Sequence, residues 1–393
     1  MVRRIVVLAL VALLGTAFVA YAETQNIKVS GDLESMVVFR DHFSLMGKNT
    51  QNPLLGGRGY AVGNSSNLFL TIGRIKIDAD LTDNVSANLR LIGQYNWGKS
   101  DTGPIPRDAD TNVDIDLANV TLKEFLYSPL TLIIGRQELH YGNDMIIGDV
   151  DTNRFGTDGN IPGDLNKRKS FDAVRAILDY CPLTVDLVYA KISATSLLNS
   201  GAQLRFGIPG IRDWNGGYLE RAGDRIDDDT DLFGINARYE FGKWNTVGEA
   251  YYWYRRMGPY AFSPLAIAGT PGAMDISNSD QLHTYGIRVA MEPKDGLKMG
   301  VEAAMQRGRK NVYGDVISVI SPGTPVPHSA VTREAWAVET YLNYTWKNAK
   351  YVPSLGANYA YFSGEDEAWG IFGGPQAGPK KWRGWDPMFE NQT

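Results

Sequence analysis

Cysteine is almost absent: Cys181 is the only one in 393 residues. That excludes a disulfide framework, a CxxC zinc site and a lipoprotein anchor near the N-terminus. Histidine is nearly as scarce. His42, His140, His283 and His328 are scattered and form no H-E-x-x-H or comparable pairing. Neither a G-x-S-x-G elbow nor a Gly-rich loop followed by Lys-Ser/Thr occurs. The sequence therefore offers no catalytic residue, metal ligand or cofactor site, and enzyme activity is not expected. Beyond the first 22 residues no run approaches 18 uncharged apolar positions, so membrane-spanning helices are excluded. Excess positive charge is missing too. The net charge is −5, and −7 without Arg3 and Arg4, which argues against nucleic acid as a partner.

Aromatics, in contrast, make up 11% of the chain, with 20 Tyr and 9 Trp, while the mean hydropathy is a slightly polar −0.23. A barrel with a greasy belt and a wet interior has that combination. Residues 1–22 read as a signal peptide: Arg3 and Arg4, the apolar core "IVVLALVALLGTAFV", and an A-x-A site at Ala20-Tyr21-Ala22.

Thirteen runs alternate apolar and polar residues: 28–40, 67–80, 85–97, 115–126, 131–139, 171–180, 184–193, 231–241, 246–256, 282–291, 297–307, 332–346 and 351–363. Short connections (81–84, 127–130, 181–183, 242–245, 292–296, 347–350) alternate without exception with long polar ones (41–66, 98–114, 140–170, 194–230, 257–281, 308–331). Outer-membrane barrels sort their loops in this way, with tight periplasmic turns and long extracellular loops. Because hydrocarbon offers no hydrogen bonds, strands cross a membrane only as a closed barrel. The predicted fold is all-β, a transmembrane antiparallel up-and-down barrel over 23–393 in a Gram-negative outer membrane. Its lipid face would carry aromatic girdles that include Trp97, Tyr127, Tyr180, Tyr189, Trp244, Trp346 and Tyr351.

Charged residues inside the runs then face a watery lumen, since a basic residue turned to lipid costs about 2–4 kcal/mol near the midplane. Parity places Arg74, Lys76, Arg90, Lys123, Arg136, Arg175, Arg238, Arg255, Arg288 and Lys298 inward, with acidic companions such as Asp186, Glu240, Glu249, Glu302 and Glu339. His140 and Tyr141 are expected at the mouth as ordinary polar residues. Two acidic stretches, "GDVDTNRFGTDGN" (148–160) and "DRIDDDTD" (224–231), are read as solvated loops. The first lacks the Gly and the terminal Glu of a calcium loop.

Three segments carry a family resemblance. "IIGRQELHYGNDMIIGD" (133–149), "RKSFDAVRAILDY" (168–180) and "RGWDPMFENQT" (383–393) resemble the alginate-export family of outer-membrane porins. The resemblance implies an 18-stranded barrel whose narrow, arginine-lined lumen passes an anionic uronic-acid polymer. On the matching segments it singles out Arg136, Arg168 and Arg175; Arg74, Lys76, Arg90, Arg238 and Arg288 join them by parity alone. Thirteen visible strands against an even-numbered barrel imply a C-terminally incomplete member lacking about five strands. Expected partners are an anionic polysaccharide or small anionic solutes, outer-membrane lipid and periplasmic export proteins. The alternatives are a general small-solute or anion porin, and a surface adhesion barrel with a closed pore.

Overall fold

Alternation sets the local architecture: each apolar–polar run forms a strand, and within each of the two units below it pairs with its neighbours in the chain. The computed structural model describes residues 26–41, 65–97, 113–150, 165–193, 230–258, 261–262, 275–276, 279–312, 329–364 and 381–391. The expected signal peptide and most of both acidic stretches lie outside the described residues.

Two units are distinguished, Met1–Glu124 and Phe125–Thr393. The first is the antiparallel meander β1 (Asn26–Asp41), β2 (Ser65–Thr82), β3 (Val85–Asn96) and β4 (Val113–Leu122). The second holds β5 (Leu130–Glu138), β6 (Ser170–Asp179), β7 (Leu183–Ser193), β8 (Thr230–Phe241) and β9 (Thr246–Met257). A two-residue pair follows, β10 (Ala261–Phe262) and β11 (Asp275–Ile276). Then come β12 (Asp280–Lys294), β13 (Leu297–Val312), β14 (Ser329–Thr345), β15 (Ser354–Phe362) and the short β16 (Lys381–Trp382), which lies parallel to β14. In the second unit the long strands are ordered β5-β6-β7-β8-β9-β12-β13-β14-β15, up and down throughout.

All thirteen expected strands are present, with shifted ends. The fourth stops at Leu122 and not at 126, because Glu124 and Leu126 take left-handed conformations (φ 52° and 67°). Its turn is closed by the Phe125 N–H donating to the Leu130 carbonyl at 2.9 Å. The last long strand starts at Ser354, after a turn in which Val352 donates to the Ala349 carbonyl.

The cross-strand register of the second unit separates two faces. One outer row reads Val174, Tyr189, Phe233, Tyr254, His283, and its rings touch: Tyr189–Phe233 at 5.0 Å, Phe233–Tyr254 at 6.2 Å, Tyr254–His283 at 4.6 Å. The adjacent row is Ala176, Leu187, Ile235, Tyr252, Tyr285, Met305, Trp336. Ile287, further down, is 63% exposed. A second set of exposed aromatics, Tyr180, Tyr239, Phe241, Trp244, Trp346 and Tyr351, sits at the short-turn ends. A continuous apolar surface with aromatics at both edges is what lipid requires; water would make it an aggregation site. Charges on this outer face, such as Arg307 and Glu334 next in the row after His283, are confined to the long-loop ends of the strands. The opposite face carries the rest, together with the buried cluster of Leu139, Tyr141, Met145, Ile147, Phe171, Trp253, Leu282, Met388 and Phe389.

Candidate functional site

One inner row of the second unit is charged on six of its seven strands: Asp179, Thr184, Arg238, Glu249, Arg288, Glu302, Glu339. Placing opposite charges directly across from one another is the sheet's usual way of stabilising such residues. Arg288 donates to Glu249 at 2.6 Å, and Arg238 reaches Glu240 two residues along its own strand at 2.6 Å. Glu302 is buried and accepts from the Tyr251 hydroxyl at 2.6 Å. That contact needs Gly286: a Cβ there would lie 2.2 Å from the Tyr251 ring. Gly234 does the same for Trp253, a glycine–aromatic device also used to pin register in built sheets.

The segment after β5 does not stay at the mouth. Apolar residues Leu139, Met145, Ile146 and Ile147 are buried, and they draw the chain onto the inner face. Tyr141 is buried against Trp253 (ring centroids 4.8 Å apart) and donates to Asp186 at 2.9 Å. Burial, with Asp186 adding to it, holds its hydroxyl far above the ordinary tyrosine range, although Arg175 pulls the other way. The following turn presents its backbone to the charged row. Gly142 N–H donates to Glu249 (3.2 Å), Asn143 N–H to Glu302 (2.7 Å) and the Asn143 amide to Glu339 (3.2 Å). Arg288 completes the network by donating to Asn143 Oδ1 at 2.6 Å. Gly142 is obligatory here, with φ 68° and Glu302 oxygens 2.6 Å from where a Cβ would stand. The expectation that Tyr141 is a polar residue at the mouth is thus corrected: four nearby apolar side chains outweigh one hydroxyl. His140 stays half exposed, 3.1 Å from Asp144, and that hydrogen bond raises its pKa.

Residues 384–391 fold onto the same face. They pair with the inward segment through Gly148 N–H to Phe389 O (2.7 Å), Phe389 N–H to Ile146 O (3.0 Å) and Asn391 N–H to Asp144 O (2.9 Å). Asp386 receives both forks of Arg255 (3.0 and 2.6 Å) and one from Arg333 (3.1 Å). Arg333 also donates to Asp280 at 3.0 and 2.8 Å. Burial would raise the Asp386 pKa, but the two guanidiniums outweigh it and hold the carboxyl below its usual range.

The residues singled out from sequence fall in four places. Arg74, Lys76 and Arg90 share the polar face of the first unit, paired with Asp32 (2.7 Å), Asp78 (2.9 Å) and Asp116 (2.6 Å). Arg175, Arg238 and Arg288 share the inner face of the second, Arg175 being bound to Asp186. Arg168 precedes β6, where its N–H donates to Asn166. Arg136 is on the wrong side. It pairs with Asp172, one row beyond Val174 on the outer face, and Gln137 is the buried inward neighbour. Ile133 and Ile134 are adjacent apolar residues, so alternation within this strand allows two readings, and register selects the one that turns Arg136 out. Arg255, turned inward by parity, is on the inner face as expected, whereas Arg333 and Asp386 were not singled out. The only signal for Asp386 is that it lies in "RGWDPMFENQT", one of the three family segments.

Residues 214–374 match the family model described as "Alginate export". No curated protein matches the sequence. Among solved structures, OccAB3 of Acinetobacter baumannii has 10% identity and a TM-score of 0.40, covering 88% of this chain and 85% of its own. OmpT of Vibrio cholerae has 9% identity and a TM-score of 0.34, covering 86% and 89%. A mutant porin of Rhodopseudomonas blastica has 11% and 0.34, covering 86% and 100%. Likeness this loose adds nothing to what the sheet itself says. The family match and the two-faced meander are independent of each other, and they agree: residues 214–374 are similar to the alginate-export family, and the strands are those of an outer-membrane β-barrel.

Proposed function

We propose that the protein is an outer-membrane channel that passes an anionic polysaccharide, or its oligomers, along the charged inner face. The family match carries this reading, and the charged inner row gives it a physical form. In that row Arg238, and on the polar face of the first unit Arg74 and Lys76, are paired yet part-exposed, at 42%, 26% and 38% of their side-chain surface. A passing carboxylate can share such a guanidinium or ammonium without having to strip it from its partner, because exposed pairs are held by only about 0–1 kcal/mol. Arg90, Arg175 and Arg288 are committed to buried carboxylates, so they shape the wall more than they recognise cargo.

One observation favours a second reading, a general small-solute porin. Acids accompany the bases along the whole inner row, which weakens any net preference for anions. Planar-bilayer recordings on the full-length protein separate the two readings. A uronate channel shows anion-selective reversal potentials and concentration-dependent block by oligouronates at levels where neutral oligosaccharides of equal length do nothing. Equal block by both sugars, with little ion preference, decides for the general porin.

A further inference from the structure

Arg255 and Arg333 belong to one inner row, Arg255, Leu282, Gly308, Arg333, and converge on a single carboxylate from either side of Gly308. Both are buried, and the Nε–H of each has no hydrogen-bond partner. The carboxylate between them is not part of the sheet. It belongs to Asp386, whose backbone is gripped on both sides by the Gln306 amide: Nε2 donates to the Asp386 carbonyl (2.7 Å), and the Asp386 N–H donates to Oε1 (2.9 Å).

From this we infer that Arg255 and Arg333 form a carboxylate-binding site that Asp386 fills in cis. A uronate carboxylate takes the same place, and residues 384–391 are therefore a plug that the polymer displaces. The inference rests on the uronate reading above.

Charge is the reason. With Asp386 removed, two buried guanidiniums face Asp280 alone, and an uncompensated buried charge costs several kcal/mol. Leaving the site empty is therefore expensive, whereas exchanging one carboxylate for another is nearly neutral. A hexuronate suits the exchange better than aspartate does. Beside its carboxylate it carries a ring oxygen and hydroxyls, acceptors for the two Nε–H groups that Asp386 leaves unmet. Met388 and Phe389, buried in the inner cluster, oppose release and set the threshold.

The test is current block of the full-length channel by a trimeric uronate, with maltotriose as the neutral control. In Asp386→Asn the cis competitor is weakened, so open conductance rises and the half-blocking uronate concentration falls by at least about tenfold. Adding Arg333→Lys, which keeps the charge but loses the fork, restores weak block. Gln306→Leu loosens the plug without touching either charge and moves both readings in the same direction by less. It carries the test if Asp386→Asn fails to migrate as a folded barrel on unboiled gels. Wild-type block that Asp386→Asn and Gln306→Leu leave unchanged overturns the plug and spares the uronate channel. Variants that open but respond equally to maltotriose overturn the carboxylate site. No uronate block in any protein overturns both readings.

Discussion

Replacing Arg288 with methionine separates a structural arginine from a recognition arginine. Its guanidinium donates to Glu249 Oε1 and Asn143 Oδ1, both at 2.6 Å, and the pair is largely buried, with side chains 15% and 7% exposed. In Arg288→Met, Glu249 keeps only the Gly142 N–H at 3.2 Å, in a row that also holds Glu302 and Glu339. Removing one partner of a buried pair costs about 3–5 kcal/mol, and the stranded Asn143 oxygen adds about 1 kcal/mol. Urea unfolding of the refolded barrel, followed through its nine tryptophans, should show this. With an m-value of about 3 kcal/mol per M the midpoint falls by roughly 1 M or more. Glu249→Gln in the same chain should recover most of the loss, since the stranded charge and not the missing arginine is what destabilises. An unchanged midpoint together with lost uronate block would refute the reasoning and return Arg288 to the recognition set.

The neighbouring position tests the faces: Ile287→Arg turns a charge toward lipid and should cost about 2–4 kcal/mol near the midplane, seen as reduced assembly into vesicles; normal assembly would mean the faces are assigned backwards. Gly234→Ala places a Cβ 1.9 Å from the Trp253 ring, and overpacking of this kind costs about 1–3 kcal/mol. Because Trp253 supports Tyr141, protease sensitivity of segment 139–148 should rise with it, and an unchanged digestion pattern counts against the contact. His140 is the pH-dependent element of that segment. Its raised pKa means the stabilisation from Asp144 is complete below about 6.5, the ordinary histidine value, and is lost as pH rises through the higher folded value. Diethylpyrocarbonate modification of His140 should therefore reach half its maximum above that value and return to it in Asp144→Asn. A midpoint already ordinary in the wild type shows that the hydrogen bond has no effect.

The order and type of the strands were legible because alternation is a local property: the side chains of "VSANLRLIGQYNW" (85–97) sort onto two faces wherever the strand is placed. Loop sorting and aromatic strand ends then fixed the solvent on each face. Where the local signal was double, as at Ile133-Ile134, only pairing with β6 decided that Arg136 points outward. Charge pairing was out of reach for a different reason. Arg288 meets Asn143 across 145 positions and Arg255 meets Asp386 across 131, so which cations remain available to cargo depends on contacts that no window of sequence contains. The inward turns of Tyr141 and Asp386 likewise depend on one buried cluster assembled from seven strands and two connecting segments. Sequence by itself determined an all-β chain with one lipid face and one charged face. Tertiary structure decided which of those charges are neutralised at home, because burial makes the nearest opposite charge, however distant along the chain, the cheapest partner available.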